Sequence, residues 1–138
     1  MNNIPQTLIV DDEHLNRILL SRSLQSFNIS YSETTDGQEA IEWIKQSTEK
    51  ELIVLLDLNM PVMDGYEFLF YLESNPEEFS DKHIEIIIVS AASQNSFDEL
   101  CNLAGITLKT AAYLEKPVSK NRLQEALLLA NNNFNSVL

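Results

Sequence analysis

Three aspartates, a serine and a lysine stand out because each follows a short apolar run. Asp11 and Asp12 follow Leu8-Ile9-Val10, and Asp57 follows Leu52-Ile53-Val54-Leu55-Leu56. Ser90 ends the run from Ile84 to Val89, and Lys116 comes just after Ala111 to Leu114. Clustered carboxylates repel one another and cannot all stay ionised without a counter-charge. A hard divalent cation answers that need: Mg²⁺ (or Mn²⁺) takes a few carboxylates, waters and a phosphate oxygen. In such a site Asp12 and Asp57 are direct ligands and Asp11 acts mainly through water. The backbone carbonyl of Asn59 adds a neutral oxygen. A carboxylate is also a nucleophile, giving an aspartyl phosphate. Phosphoryl transfer demands mostly positioning and neutralisation of the equatorial oxygens. The cation serves one oxygen, Lys116 a second as a point charge, and the Ser90 hydroxyl a third.

These residues share a site only if the apolar runs are neighbours in one sheet. Three of the runs are continuous rather than alternating, the pattern of strands covered on both faces in a parallel sheet. Ile29-Ser30-Tyr31-Ser32-Glu33 alternates, as expected for a half-covered strand near an edge. Between the runs lies helical spacing: Leu15, Ile18, Leu19 and Leu24; Ala40, Ile41 and Ile44; Tyr66, Leu69, Phe70 and Leu72; Phe97, Leu100, Cys101 and Ala104; Leu123, Ala126, Leu127 and Ala130. Asp36 with Glu39, and Asp64 with Glu67, read as acidic N-caps with a Glu reaching back, and Ser119 as the cap of the last helix. Strict alternation of five strands with five helices implies an α/β, doubly wound, flavodoxin-like domain of strand order 2-1-3-4-5. In that fold, function collects beyond the carboxyl ends of the strands, where all these polar residues fall. A single domain is expected over 1–138, with a core from about 6 to 130 and a fraying tail at 131–138.

Composition narrows the function classes. With 9 Lys+Arg against 21 Asp+Glu, the formal net charge is −12. Such a surface repels phosphate backbones and anionic lipid, so no nucleic-acid or membrane partner is expected. The amino terminus lacks the cationic flank of a signal peptide, and no apolar run approaches a membrane span. Cys101 is the lone cysteine, at helical spacing with apolar neighbours, which reads as a buried inert thiol. A cytoplasmic location is expected.

Taken in order, LIVDDE, LLDLNMPVMDGYEF, VSA and YLEKPV resemble the successive signatures of the response-regulator receiver family of two-component signalling. The resemblance runs from about Thr7 to the last helix. It implies that Asp57 is the phosphoacceptor, Asp11 and Asp12 the acidic metal pair, and Ser90 the switch hydroxyl. Tyr113 then corresponds to the aromatic that turns inward with the switch. Lys116 is the phosphoryl-binding lysine, joined to Pro117 through a cis peptide. It further implies a histidine kinase or histidine phosphotransfer protein as donor and an unidentified downstream protein as target. The signalling face would comprise helix 4, strand 5 and helix 5, on a monomer or a phosphorylation-dependent dimer. Such a protein assists its own phosphorylation and dephosphorylation without being a conventional enzyme. Two departures stand out: Lys109-Thr110 occupy the usual place of a Gly-Ala pair, and the segment from Glu73 to His83 is long and acidic.

Two other functions use similar parts. A haloacid-dehalogenase-like phosphatase also uses an aspartyl nucleophile, but wants a second aspartate as general acid where this chain has Asn59. A pure scaffold would have no use for the clustered carboxylates, which destabilise a fold when unpaired.

Overall fold

A computed structural model describes residues 4–135. Five strands, β1 (Thr7–Val10), β2 (Tyr31–Thr34), β3 (Glu51–Leu56), β4 (His83–Ser90) and β5 (Ala112–Glu115), form one parallel sheet in the order β2-β1-β3-β4-β5. Five helices connect them: α1 (His14–Ser26), α2 (Gly37–Gln46), α3 (Gly65–Ser74), α4 (Gln94–Ala104) and α5 (Lys120–Phe134). The expected doubly wound architecture and strand order are present.

The continuous apolar strands are explained by two cores. Side chains of a strand alternate between faces, and both faces here are covered. Leu8, Val10, Val54, Leu56, Ile86 and Ile88 pack under α2, α3 and α4. Ile9, Ile53, Leu55, Ile87 and Val89 pack under α1 and α5. The central strands β1, β3 and β4 are therefore apolar at almost every position, and their carboxyl ends are held in common register, with Val10 beside Leu56 and Leu56 beside Ile88.

Helix starts follow their caps. Asp64 accepts from the Glu67 amide, and Glu67 returns the bond to the Asp64 amide, a complete capping box. Asp36 caps α2 through the Glu39 amide, but Glu39 reaches one residue further back, to the Thr35 amide and hydroxyl. Ser119 caps α5 through the Arg122 amide. Gly65 has no room for a side chain: a Cβ would lie 2.6 Å from the Asp57 carbonyl oxygen and 2.8 Å from the Leu58 Cα. This contact, with the Gly65 amide donating to the Leu58 carbonyl, seats α3 directly on the exit of β3.

Several helix faces differ from the expected ones. On α1 the buried side chains are Leu20, Ser21 and Leu24, whereas Leu15 and Leu19 face solvent. The Ser21 hydroxyl donates to the Ile18 carbonyl, so a polar residue sits satisfied on the buried face and disguises the stripe. On α3 the fully buried aromatic is Phe68, and Phe70 is 50% exposed. Only Phe97 and Cys101 of α4 are buried, with Leu100 exposed. The second strand begins at Tyr31, after a turn in which Asn28 adopts φ 59° and buried Ile29 donates to the Leu24 carbonyl. Helix α5 continues through Asn131–Asn133 to Phe134, and the Asn133 side-chain amide donates to Glu85 at 2.6 Å. Residues 136–138 of the expected tail lie outside the described residues. The long acidic connection before β4 contains a 3-10 turn, Pro76–Phe79, that buries Phe79.

The orientation of α3 is directly testable. Phe68→Ala should cost about 3–5 kcal/mol of unfolding free energy as a large-to-small core change. Phe70→Ala should stay within about 1 kcal/mol, as expected for an exposed site. Urea unfolding of both variants measures this, and equal losses would contradict the assigned face.

Candidate functional site

The carboxyl edge of the sheet gathers the residues singled out above. Asp11 leaves β1 with its amide donating to the Thr34 carbonyl, and Asp57 leaves β3 with its amide donating to the Val10 carbonyl. Backbone ladders therefore fix both residues before their side chains are considered. Asp11 and Asp57 are 1% and 5% exposed, while Asp12 is open to solvent. Carboxylate oxygens of Asp11, Asp12 and Asp57 all lie within 4.8 Å of one another. Asn59 is exposed two residues beyond Asp57, on the turn leading to α3.

One cation enters this group. Lys116 follows β5, and its amide donates to the Ser90 carbonyl, which ties the ends of β5 and β4 together. Its Nζ donates to Asp11 Oδ2 at 3.0 Å and lies 3.6 Å from Asp57 Oδ1. The Lys116–Pro117 peptide is cis. Ser90 is buried at the end of β4, with Oγ accepting from the Ala92 amide at 3.1 Å. Tyr113, half-buried on β5, donates its hydroxyl to the Ala92 carbonyl at 2.7 Å and stacks against Phe97 of α4 at 5.3 Å between centroids. Burial raises the Tyr113 hydroxyl pKa, opposed by the nearby Ser90 side chain. Ser90, Tyr113 and α4 are thus in one contact chain.

A single ammonium does not balance three carboxylates. Burial, then the neighbouring Asp11 charge, push Asp57 up to about 6 from an ordinary 3.8. The Lys116 charge and the amides of Leu58 and Asn59 act in the opposite direction and do not overcome them. Hard oxygen donors, partly buried and short of positive charge, are the donor set that suits a divalent cation such as Mg²⁺.

Arg17 was not among the expected site residues. From the first turn of α1 it donates through Nη1 to the Asp11 carbonyl at 2.9 Å and through Nε to Glu33 Oε1 at 3.2 Å. Spacing offered one signal, since a residue one turn into a helix can reach back to the strand end that precedes it.

The fold and this edge define a doubly wound α/β domain with an acidic pocket at its switch point. The family profile of the response regulator receiver domain matches residues 7–128. The chain belongs to that family, whose general function is two-component phosphorelay, with phosphorylation of an aspartate by a kinase. It is 34% identical over 121 residues to hybrid signal transduction histidine kinase E of Dictyostelium discoideum, covering 88% of this chain and 7% of that protein. It is 27% identical over 117 residues to the peroxide stress-activated histidine kinase mak1 of Schizosaccharomyces pombe, covering 84% of this chain and 7% of that kinase. The chain thus spans a small fraction of the length of these relatives. Among solved structures, the receiver domain of sensor histidine kinase PA1611 from Pseudomonas aeruginosa PAO1, with magnesium in its active-site cleft, superposes with a TM-score of 0.71 at 23% identity, covering 89% of this chain and 93% of that one. A sensor protein from Polaromonas sp. JS666 gives a TM-score of 0.76 at 24% identity, covering 94% and 97%. These likenesses carry the fold. No helix among the described residues is long and apolar enough to cross a membrane.

The raised Asp57 pKa has a consequence for the metal-free protein. Between pH 3.8 and about 6 the folded state holds a proton that the unfolded chain lacks, so stability rises as pH falls through about 6. Above that range the ionised carboxylate costs stability. In EDTA at pH 7.5, Asp57→Asn should be more stable than the parent by about 1–3 kcal/mol, with a flatter pH profile. Matching denaturation midpoints would refute the charge imbalance.

Proposed function

We propose that Asp57 accepts the phosphoryl group, and that Asp11, Asp12, Asp57 and the Asn59 carbonyl hold the Mg²⁺ (or Mn²⁺) that assists it. The observation that carries this reading is the convergence of three carboxylates and the Lys116 ammonium from β1, β3 and β5 at one edge. The donor is a phosphohistidine of a histidine kinase or phosphotransfer protein. An Asp57 carboxylate oxygen forms the new bond to phosphorus while the bond from phosphorus to the histidine nitrogen breaks and its electron pair leaves with the imidazole. The cation, when bound, neutralises charge on one phosphoryl oxygen.

Lys116 then exchanges a carboxylate partner for a phosphoryl oxygen, and the Ser90 hydroxyl turns from the Ala92 amide towards another. That movement frees the loop held by Tyr113, whose ring rests on Phe97, and carries the change to α4. The exposed Leu100 and Leu103 of α4, and Leu128 and Leu129 of α5, support a protein-binding role for the face of α4, β5 and α5. The Asn59 side chain lacks the acid needed for turnover on external phosphoesters, which favours a switch over a phosphatase.

Incubation with acetyl phosphate and Mg²⁺, read by intact mass, should add one phosphoryl group to the parent and none to Asp57→Asn. An adduct that persists in the variant would move the acceptor elsewhere. Lys116→Ala should keep the fold and still take phosphate, yet lose the phosphorylation-dependent change in α4 amide chemical shifts. Normal shifts in that variant would remove Lys116 from the switch.

A further inference from the structure

Asp12 contrasts sharply with its neighbour. Every polar group of Asp11 is held: the amide by the Thr34 carbonyl, the carbonyl by Arg17, Oδ1 by the Glu13 amide and Oδ2 by Lys116. The Asp12 carboxylate makes no hydrogen bond or ion pair among the described residues, yet it lies in the three-carboxylate group. Its place is therefore set through the backbone. The carbonyl that Arg17 holds belongs to the peptide joining Asp11 to Asp12, and a peptide is planar. Fixing that oxygen fixes the plane from which Asp12 departs.

The guanidinium suits this task. Its side chain is only 15% exposed, and it spans three elements: the end of β1 through the Asp11 carbonyl, β2 through Glu33, and its own helix, with Nη2 3.5 Å from His14 Nδ1. Nη1 meets the Asp11 carbonyl while Nε, at a fixed angle to it, is held by Glu33, a fork that a single ammonium does not provide.

We propose that Arg17 is a positioning residue for divalent-cation binding, orienting the Asp11–Asp12 peptide so that the Asp12 carboxylate faces the pocket. The inference rests on the reading of that pocket as a Mg²⁺ site. It makes a prediction opposite in sign to simple electrostatics. A guanidinium near a cation site repels the cation, so if Arg17 acted only by its charge, removing it would tighten Mg²⁺ binding. If it acts by position, removing it weakens binding, in the range of about 10–100-fold typical of groups that orient metal ligands.

Calorimetric titration of the metal-free protein with Mg²⁺ tests this, with thermal melts in EDTA reporting the fold. Arg17→Ala should raise the Kd at least about tenfold. Arg17→Lys, which keeps the charge and loses the fork, should weaken binding as well. Arg17→Gln, which removes the charge, keeps an amide donor for the Asp11 carbonyl and stands in should Arg17→Ala fold poorly, should give a smaller loss in the same direction. Unchanged or tighter binding in a folded Arg17→Ala, or in both Arg17→Lys and Arg17→Gln, overturns the positioning role while leaving the metal site standing. Absence of Mg²⁺ binding by the parent protein overturns the metal reading, and this inference with it.

Discussion

The contact between Lys116 and the buried carboxylates of Asp11 and Asp57 is the interaction on which the rest of the molecule turns. It joins Lys116 to Asp11, 105 positions away, as well as to Asp57, and it exists only because a parallel sheet brings the carboxyl ends of β1, β3 and β5 to the same edge. One ammonium faces three carboxylates, and burial together with the Asp11 charge outweighs it in raising the Asp57 pKa. The site is thus built with a deficit of positive charge. A divalent cation is the kind of ligand that would supply it, and one that binds only the folded chain would stabilise it.

From this contact the structure leads outward by short steps. The Lys116 amide is bonded to the Ser90 carbonyl, the Ser90 hydroxyl to the Ala92 amide, and the Ala92 carbonyl to the Tyr113 hydroxyl. The Tyr113 ring meets Phe97 on the buried side of α4. Each link is an ordinary hydrogen bond or ring contact, worth about 0.5–1.5 kcal/mol by itself. On the switch reading proposed above, each link is weak enough for one added covalent group to exchange it for another.

The sequence made the strands and the edge residues legible because both are governed by strong local rules. A strand covered on both faces must be apolar throughout, so β1, β3 and β4 announced themselves, and the polar residue after each run marked the sheet edge. Capping at Asp36, Asp64 and Ser119 was legible for the same reason. The faces of α2 and α5 were legible too, with Ala40, Ile41 and Ile44, and Leu123, Ala126, Leu127 and Ala130, buried as their spacing implies, but those of α1, α3 and α4 were not. On α3 the stretch Phe68-Leu69-Phe70 is apolar in every direction, so spacing alone cannot decide between Phe68 and Phe70. The seat that Gly65 takes on the Asp57 carbonyl and Leu58 decides it. On α1, a satisfied Ser21 occupies the core face while Leu15 and Leu19 look outward. Arg17 escaped notice because its bond to the site goes to a backbone carbonyl, and its ionic partner Glu33 lies 16 residues away on another strand.

The departures from the family pattern all fall at the opposite edge of the sheet, and there the bonding is of another kind. Glu73 at the end of α3 accepts from the Thr107 amide at 2.8 Å and its hydroxyl at 2.7 Å, which ties the unusual connection before β5 to α3. Lys82 donates to the carbonyls of Ser47 and Glu49, and Lys45 pairs with Glu78, which also accepts from Tyr71. Here charges are matched or bonded to backbone; at the carboxyl edge they are in surplus. An exposed ion pair contributes little, about 0–1 kcal/mol, but bonds to backbone fix loop geometry. The connections before β4 and β5 are therefore braced at the edge away from the carboxylates. Stability and responsiveness are assigned to opposite ends of the same strands, and the instability stays where a ligand can relieve it.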